Sequence, residues 1–174
     1  TTIIFSGSGK ISGIILRLLE QLNDHSLSVV YIKPDLTLLD ETSRMREKIV
    51  FGILQQYTRS GLLKNMQIIS NEAVEQVLES VSIADYWEDI NDVIASTLHM
   101  LNVFGNTEPL LSTMAEQKET TRISTVGVVA YNNLDEKSFY NLQAPRLKKY
   151  FFGISQKTLD EEKDLLHKIR SYVK

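Results

Sequence analysis

The stretch Ser6-Gly7-Ser8-Gly9-Lys10-Ile11-Ser12-Gly13 decides how the rest of the chain is interpreted. It follows an apolar run at residues 2–5 and precedes a helical pattern of apolar residues at Ile14, Ile15, Leu18, Leu19 and Leu22. A strand, a glycine-rich bend and a helix in this order direct backbone N–H groups at one point, where phosphate often binds. The stretch predicts half of a nucleotide cradle, although similar bends occur in α/β proteins without nucleotide.

Two better-known motifs do not match this glycine bend, as we call residues 6–13. A Walker loop would need glycine at position 4 and serine or threonine at position 11, where the chain has Ile4 and Ile11. The nucleophile elbow of hydrolases needs glycine two residues on either side of its serine, but Ser8 has Ser6 and Lys10 there. The bend is therefore not a P-loop, and Ser8 is a poor candidate for a nucleophile.

The composition suits one globular domain or one and a half. The chain has 174 residues, 43% of them apolar and 24% charged, with a formal net charge of −3 and only short basic runs. Direct nucleic-acid binding and a membrane span are therefore not expected. The absence of cysteine and of a recognisable signal peptide fits a reducing cytoplasm. The three histidines lack the spacing of metal ligands, so no metal site is predicted.

Strands and helices alternate in the first two thirds of the pattern. Further strands are predicted at residues 28–32 and 66–70, and helices at 40–60, 71–81 and 83–104. The helix over 40–60 has one regularly spaced set of apolar residues, namely Met45, Ile49, Ile53 and Tyr57. The longest helix, over 83–104, has another, namely Ile83, Trp87, Ile90, Ile94, Leu98 and Leu101. At about six turns this helix would cross the whole domain.

The pattern changes after the longest helix. A short helix is predicted at 109–118, a β-rich run at 122–131 with a turn at 132–133, and a strand at 149–154. A C-terminal helix starting at Thr158 or Asp160 would bury apolar residues at Leu165, Leu166, Ile169 and Tyr172. We predict an α/β fold, part of a Rossmann-like parallel sheet with a long central helix, followed by a smaller α+β unit. The predicted domains are a nucleotide-binding domain at 1–105 and a C-terminal unit at 106–174.

Four features follow predicted parallel strands or open the next helix, where open α/β sheets bind ligands. They are the glycine bend, the Asp40 and Arg44 pair, Asn71, and Trp87 with Asn91. Together they suit a purine nucleotide, with phosphate on the bend and Arg44, ribose on Asp40, and the base on the asparagines and the tryptophan. Structural roles also fit, since Asp40 and Arg44 could be an ordinary helix pair, Trp87 a core residue and Asn71 a helix cap.

These features resemble the tubulin/FtsZ family. Residues 7–13 keep three of the four glycines in that family's loop, Gly-Thr-Gly-Ser-Gly-x-Gly. The strand ending Lys33-Pro34 and the four features above also match the family in order and spacing. The resemblance covers about residues 1–118, with the remainder loosely like the family's C-terminal domain, and implies GTP or GDP, with or without Mg²⁺. The implied contacts are Gly7, Ser8, Gly9, Lys10, Ser12, Asp40, Arg44, Asn71, Trp87 and Asn91.

The chain also departs from the family pattern. Ile11 replaces a loop glycine and restricts the approach of phosphate, for which the charge of Lys10 could compensate. The family's upstream strands are missing and there is no initiator Met, so we expect a fragment. In the family, a loop after the core helix supplies acids that activate water on the neighbour's GTP. Here residues 104–109 contain only Glu108, which could equally be a helix-start acid beside Pro109.

The first hypothesis is a divergent GTP-binding protein of phage or plasmid type. It would form head-to-tail filaments with itself, hydrolyse GTP at the subunit interface with Glu108 as the catalytic residue, and position DNA or virions. An adaptor or cargo protein would be a further partner. The filament protein would lie in the cytoplasm, which is the host cytoplasm if a phage encodes it. The second hypothesis is a non-hydrolysing structural or assembly protein on the same fold. The third is an unrelated small α/β enzyme, for which the sequence offers no convincing catalytic base.

Overall fold

A four-stranded parallel sheet forms the centre of the fold. The computed structural model describes residues 2–9, 12–22, 26–78, 82–112, 121–130 and 135–173. The strands lie in the order β1-β2-β3-β4, which is also their order in the chain. They are β1 (Thr2–Ser6), β2 (Ser28–Lys33), β3 (Asn65–Ser70) and β4 (Ile123–Thr125). The prediction of an α/β fold with a parallel sheet is confirmed.

Helices cover both faces of this sheet. The helices are α1 (Ser12–Gln21), α2 (Glu41–Ser60), α3 (Asn71–Glu75), α4 (Tyr86–Gly105), α5 (Gln156–Glu161) and α6 (Leu165–Val173). A 3₁₀ turn lies at Leu36–Leu38, and β5 (Gly127–Val129) pairs with β6 (Glu136–Ser138) in an antiparallel ribbon. At the end of α2, Gly61 adopts a φ of 87°, a left-handed conformation that favours glycine, so this predicted stop is confirmed.

Two apolar cores lie on opposite faces of the sheet. One contains Val29 and Tyr31 of β2 with Leu19 of α1 and Leu54 of α2. The other contains residues of β2, β3, α3 and α4, namely Val30, Ile69, Val74, Ile90 and Ile94. Because β2 is covered on both faces, its sequence is a continuous apolar run rather than an alternating one.

The buried face of α2 differs from the predicted one. Met45 and Ile49 are 62% and 55% exposed. The buried residues are instead Glu47, Val50, Leu54 and Thr58. Two of these are polar and have hydrogen-bond partners, the Thr58 hydroxyl donating to the Leu54 carbonyl at 2.7 Å and Glu47 accepting from Tyr31. The buried face of α2 includes hydrogen-bonded polar residues, so it is less apolar than the face with Met45 and Ile49. A prediction from hydrophobicity alone therefore chose the wrong face.

The core helix α4 begins three residues later than predicted. Ile83 lies in a turn before it and is 98% exposed, while Ile90 and Ile94 form its buried stripe as expected. Among the described residues, no helix combines the length and the apolar character needed to cross a membrane.

The C-terminal part differs most from the prediction. Residues 149–154 form no strand; Phe104 stacks on Phe151 at 5.5 Å between ring centroids, which attaches this segment to α4. The β-rich run divides into β4, which joins the parallel sheet, and β5, which does not. Residues 109–112 are not helical, and the rest of that predicted helix, like the predicted turn at 132–133, lies outside the described residues. Two helices, α5 and α6, take the place of the single predicted C-terminal helix, and Leu166 is exposed, not buried.

Candidate functional site

The candidate site lies at the edge of the sheet where the parallel strands end, which we call the carboxyl edge and define by Ser6, Lys33 and Ser70. The strand register aligns Ser6 with Ile32, and Lys33 with Ser70. The glycine bend, the loop after Lys33 and Asn71 therefore leave the sheet at neighbouring points. Open α/β sheets bind ligands at this edge.

The start of α4 lies near the same edge. Tyr86 packs against the same core as Ile32, close to the end of β2. Burial, the hydrogen bond to Glu75, and the negative charges of Glu75 and then Asp35 raise the pKa of Tyr86. The Tyr86 hydroxyl donates to Glu75 of α3 at 3.2 Å, and α3 begins at Asn71 directly after β3, so the first turn of α4 lies beside α3.

The glycine bend packs tightly at one glycine and is open at another. Gly7 is buried, and a Cβ atom there would overlap the hydroxyl of Tyr31. Among the described residues beyond its chain neighbours, none has an atom within 4 Å of the position that a Cβ would take on Gly9. The N–H of Ser12 donates to the Gly9 carbonyl at 3.1 Å, and the buried Ser12 hydroxyl donates to the same oxygen. The predicted contact Lys10 and the departure at Ile11 lie outside the described residues.

A buried polar network lies beneath the bend, and sequence reasoning missed it. The Tyr31 hydroxyl donates to Glu47 Oε1 at 3.1 Å, and Lys33 Nζ donates to the same oxygen at 2.6 Å. Lys33 Nζ also lies 4.7 Å from the ring centroid of Phe51. Burial, followed by the charge of Glu47 and its hydrogen bond, raises the pKa of Tyr31, so the phenol remains a neutral donor. One signal in the sequence could have revealed this network: Glu47 has the helical spacing to Val50 and Leu54 that places it on the same face of α2.

Arg46, the residue next to Glu47, reaches the bend itself. Its Nη1 donates to the carbonyl of Ser8 at 3.2 Å, across 38 residues of sequence. Nothing in the local pattern pointed to this contact, because it depends on how α2 packs against the sheet. Two consecutive residues of α2 thus connect to the bend, one directly and one through Tyr31.

Asp40 and Arg44 hold the β2–α2 loop. Asp40 is the N-cap of α2, and its carboxylate accepts from the Ser43 N–H at 2.7 Å, which lowers the pKa of Asp40. The guanidinium of Arg44 donates to the Thr37 carbonyl at 3.4 Å. Asp40 and Arg44 thus bind Ser43 and Thr37 and not each other. The alternative that their four-residue spacing forms an ordinary ion pair is therefore not supported.

Asn71 carries a buried polar atom without a partner at the carboxyl edge, within the described part of the chain. It is the first residue of α3 and is 9% exposed. Its Oδ1 is buried and accepts no hydrogen bond from the residues that the structure describes. The cap position belongs to Ser70, whose side chain makes no capping bond, so the capping explanation for Asn71 is wrong. A buried acceptor without a donor costs about 1–3 kcal/mol, and a ligand donor would remove that cost.

Trp87 presents an open aromatic surface in the first turn of α4. It is 63% exposed, which overturns its interpretation as a core residue. Its ring meets Tyr86 edge-on at 5.1 Å between centroids. Asn91, one turn further along α4, is also exposed. An exposed indole next to a polar side chain can stack on a flat ligand whose edge forms hydrogen bonds.

Glu108 lies apart from these residues. It follows the end of α4 at Gly105, and the 20 residues of that helix span roughly 30 Å. It cannot therefore act on a ligand beside Trp87 of the same chain. Residues 108–112 are not helical, so Glu108 does not lie at the start of a helix as the alternative role required.

A separate trough runs along the β4 side of the sheet. Its volume is about 1860 Å³, above the ~300–1,000 Å³ of small-molecule pockets. It reaches the carboxyl edge at Lys33 and Ser70, but in the described part of the chain neither the bend nor Asn71 nor Trp87 lines it. It is a broad surface groove that meets the carboxyl edge, but its described lining includes none of the predicted contact residues.

Comparisons with models of protein families, with curated proteins and with solved structures gave no significant match.

Proposed function

We propose that this chain binds a guanine nucleotide at the carboxyl edge of its parallel sheet. The observation that carries the proposal is the buried Oδ1 of Asn71, which has no hydrogen-bond partner among the described residues and lies at the carboxyl edge from which the glycine bend also leaves the sheet. Buried polar atoms without partners are rare in folded proteins, and each calls for an explanation. A base or ribose that donates a hydrogen bond to this oxygen supplies one.

Guanine suits this arrangement through its Watson–Crick edge. That edge carries two adjacent N–H donors, whereas the corresponding edge of adenine carries one. An asparagine oxygen is an acceptor, so Asn71 is complementary to a donor-rich edge. Trp87, which is 63% exposed, would stack on the base, and the exposed Asn91 would contact another part of the base's edge.

The phosphates and ribose would extend towards the bend and the β2–α2 loop. The open side of Gly9 leaves room for an anion near the start of α1. Arg44 would add positive charge after a change of partner, because its present bond to Thr37 is long at 3.4 Å. Asp40 accepts from the Ser43 N–H through Oδ1, and the further lone pairs of its carboxylate would accept from a ribose hydroxyl.

Head-to-tail assembly follows from the resemblance to tubulin and FtsZ, and exposed apolar residues support it. Ile83 and Trp87, at the start of α4, are 98% and 63% exposed. Leu110 and Leu111, beyond its end, are 83% and 63% exposed. Exposed apolar patches often mark association surfaces. A neighbour that brings its Leu110 end to this edge would also bring Glu108, which would orient water on the nucleotide in trans.

Such a filament would position DNA or virions. Its cofactors would be GTP and Mg²⁺, and an adaptor or cargo protein would be a further partner.

Light scattering and pelleting in Mg²⁺ buffer with GTP or GDP test the assembly. We expect assembly with GTP, reversal as phosphate is released, and slower release from Glu108→Ala than from wild type. Assembly with GTP but no phosphate release would favour a structural protein that has lost turnover. No assembly with either nucleotide would contradict the filament.

A further inference from the structure

The glycine bend rests on a side chain that cannot easily move. Gly7 packs so closely on the phenol of Tyr31 that a Cβ atom would overlap its hydroxyl. Tyr31 is 0% exposed and lies between Phe5 and Phe51, at 5.7 Å and 5.3 Å between ring centroids. In a close-packed core, such a ring has no room to retreat. The position of Gly7 is therefore set by Tyr31.

Glu47 fixes the ring at its hydroxyl. Its carboxylate, in a residue only 2% exposed, accepts from both Tyr31 and Lys33 through Oε1. A buried carboxylate depends on such partners, because breaking the pair leaves an uncompensated charge. The first half of α2 is thereby linked to the floor of the bend.

Arg46 sets the direction of the bend's next peptide group. Its guanidinium donates to the carbonyl of Ser8 at 3.2 Å. That carbonyl belongs to the same planar trans peptide group as the N–H of Gly9, so the two point in opposite directions. Because Arg46 draws the carbonyl towards α2, the Gly9 N–H points away from α2. Gly9 also has open space at its Cβ position among the described residues, as Gly13 does.

We propose that Arg46 is a positioning residue that orients the Gly9 N–H towards the phosphates of the bound nucleotide, with Tyr31 and Glu47 supporting Gly7 from below. The inference rests on the proposed function and deepens it, since none of the three side chains needs to touch the ligand. It identifies α2 as the element that holds the phosphate-binding bend in its binding conformation.

The test compares two ligands that differ only in phosphate. Affinities for GTP and for guanosine are measured by displacement of a fluorescent GTP analogue from wild type, Arg46→Ala, Arg46→Lys and Tyr31→Phe. We expect Arg46→Ala to bind GTP about tenfold more weakly, with guanosine affinity within about twofold of wild type. Tyr31→Phe should show the same selectivity with a smaller loss. Arg46→Lys should keep the charge but lose part of the GTP affinity, because lysine lacks the fixed fork of arginine.

Two matched controls separate position from charge and from stability. Lys48→Ala removes one positive charge from the exposed side of α2. Tyr57→Phe removes a hydrogen bond of the same kind, from Tyr57 to Glu20 at 2.6 Å, remote from the bend. Both should leave the ratio of the two affinities unchanged. Thermal melting shows which variants fold, and Arg46→Lys and Tyr31→Phe are the conservative changes if Arg46→Ala does not.

The outcomes distinguish this inference from the function on which it rests. If wild type binds both ligands, while the variants bind both as wild type does or lose both in parallel, the positioning role is overturned and nucleotide binding stands. If wild type binds neither ligand, the proposed function fails and the inference fails with it.

Discussion

The Tyr31 hydroxyl lies 3.1 Å from the carboxylate of Glu47, and Gly7 packs directly on that phenol. A buried residue of α2 thus determines where the first glycine of the bend can lie. Gly7 allows close packing on Tyr31, whereas the space beside Gly9 is open. The two glycines of this bend therefore serve different physical purposes. They should respond differently to the same substitution.

Gly7→Ala is expected to destabilise the protein by about 1–3 kcal/mol, because the new methyl group meets a ring that cannot shift. Gly9→Ala should leave the free energy of unfolding nearly unchanged, because its Cβ would enter open space. If the bend holds phosphate, however, Gly9→Ala should weaken GTP binding. Urea unfolding of both variants measures the first difference. Equal destabilisation would contradict the packing at Gly7.

Asn71→Ala should separate stability from binding. Its Oδ1 has no partner to lose, so the substitution is expected to cost no more than about 1 kcal/mol in unfolding free energy. GTP affinity should fall by about tenfold if the nucleotide donates to that oxygen. Thermal melting and equilibrium dialysis measure the two quantities. A large loss of stability with unchanged GTP affinity would mean that Asn71 is structural.

Asp40 predicts an acid-dependent stability of α2. The hydrogen bond from Ser43 lowers the pKa of Asp40 in the folded state, so its stabilisation is present above the unfolded pKa of about 4 and is lost as the pH falls through the folded value. Asp40→Asn keeps a capping oxygen without a titrating group. Melting temperatures of wild type and variant should therefore converge on acidification. A difference that is constant with pH would rule out this role.

Glu136 joins β6 to the C-terminal segment. Its carboxylate accepts from Lys148 at 2.9 Å, from Tyr150 at 2.9 Å and from Tyr172 at 3.1 Å. Burial, followed by the hydrogen bond and charge of Glu136, raises the pKa of Tyr172 to about 12. The resulting stabilisation is present below the unfolded pKa of about 10 and is lost as the pH rises through about 12.

Glu136→Gln should lower the pKa of Tyr172, because it removes the negative charge. Tyrosinate absorbance in alkaline titrations measures this shift, and the difference from Tyr172→Phe assigns the signal. Unchanged titration of Tyr172 in Glu136→Gln would show that the carboxylate does not hold this phenol.

The sequence was most informative where local pattern and burial agree. The runs at 28–32 and 66–70 place apolar residues on both faces of the sheet, so their composition predicted buried parallel strands correctly, with Gln67 as a polar exception within the second run. The stop at Gly61 was predictable because its left-handed backbone favours glycine. The edge position of Asn71 followed from the strand that precedes it.

Prediction failed where tertiary contacts decide the outcome. The inner face of α2 contains Glu47, which hydrophobicity assigns to solvent, whereas Met45 and Ile49 face outward. The bond from Arg46 to Ser8 joins residues 38 apart and leaves no periodic signal. Residues 149–154 have β-type composition but lack a ladder partner among the described residues, so their aromatic side chains pack without forming a strand.

The fluorescence of Trp87 tests the central claim most directly, since it is the only tryptophan among the 174 residues. Trp87 is 63% exposed at the start of α4, so a base stacked on its ring should change its emission. We predict a saturable change on titration with GTP or GDP, with no change for CTP or inorganic phosphate. Emission that stays constant into the millimolar range of GTP, or that responds equally to CTP, would contradict a guanine nucleotide at this edge.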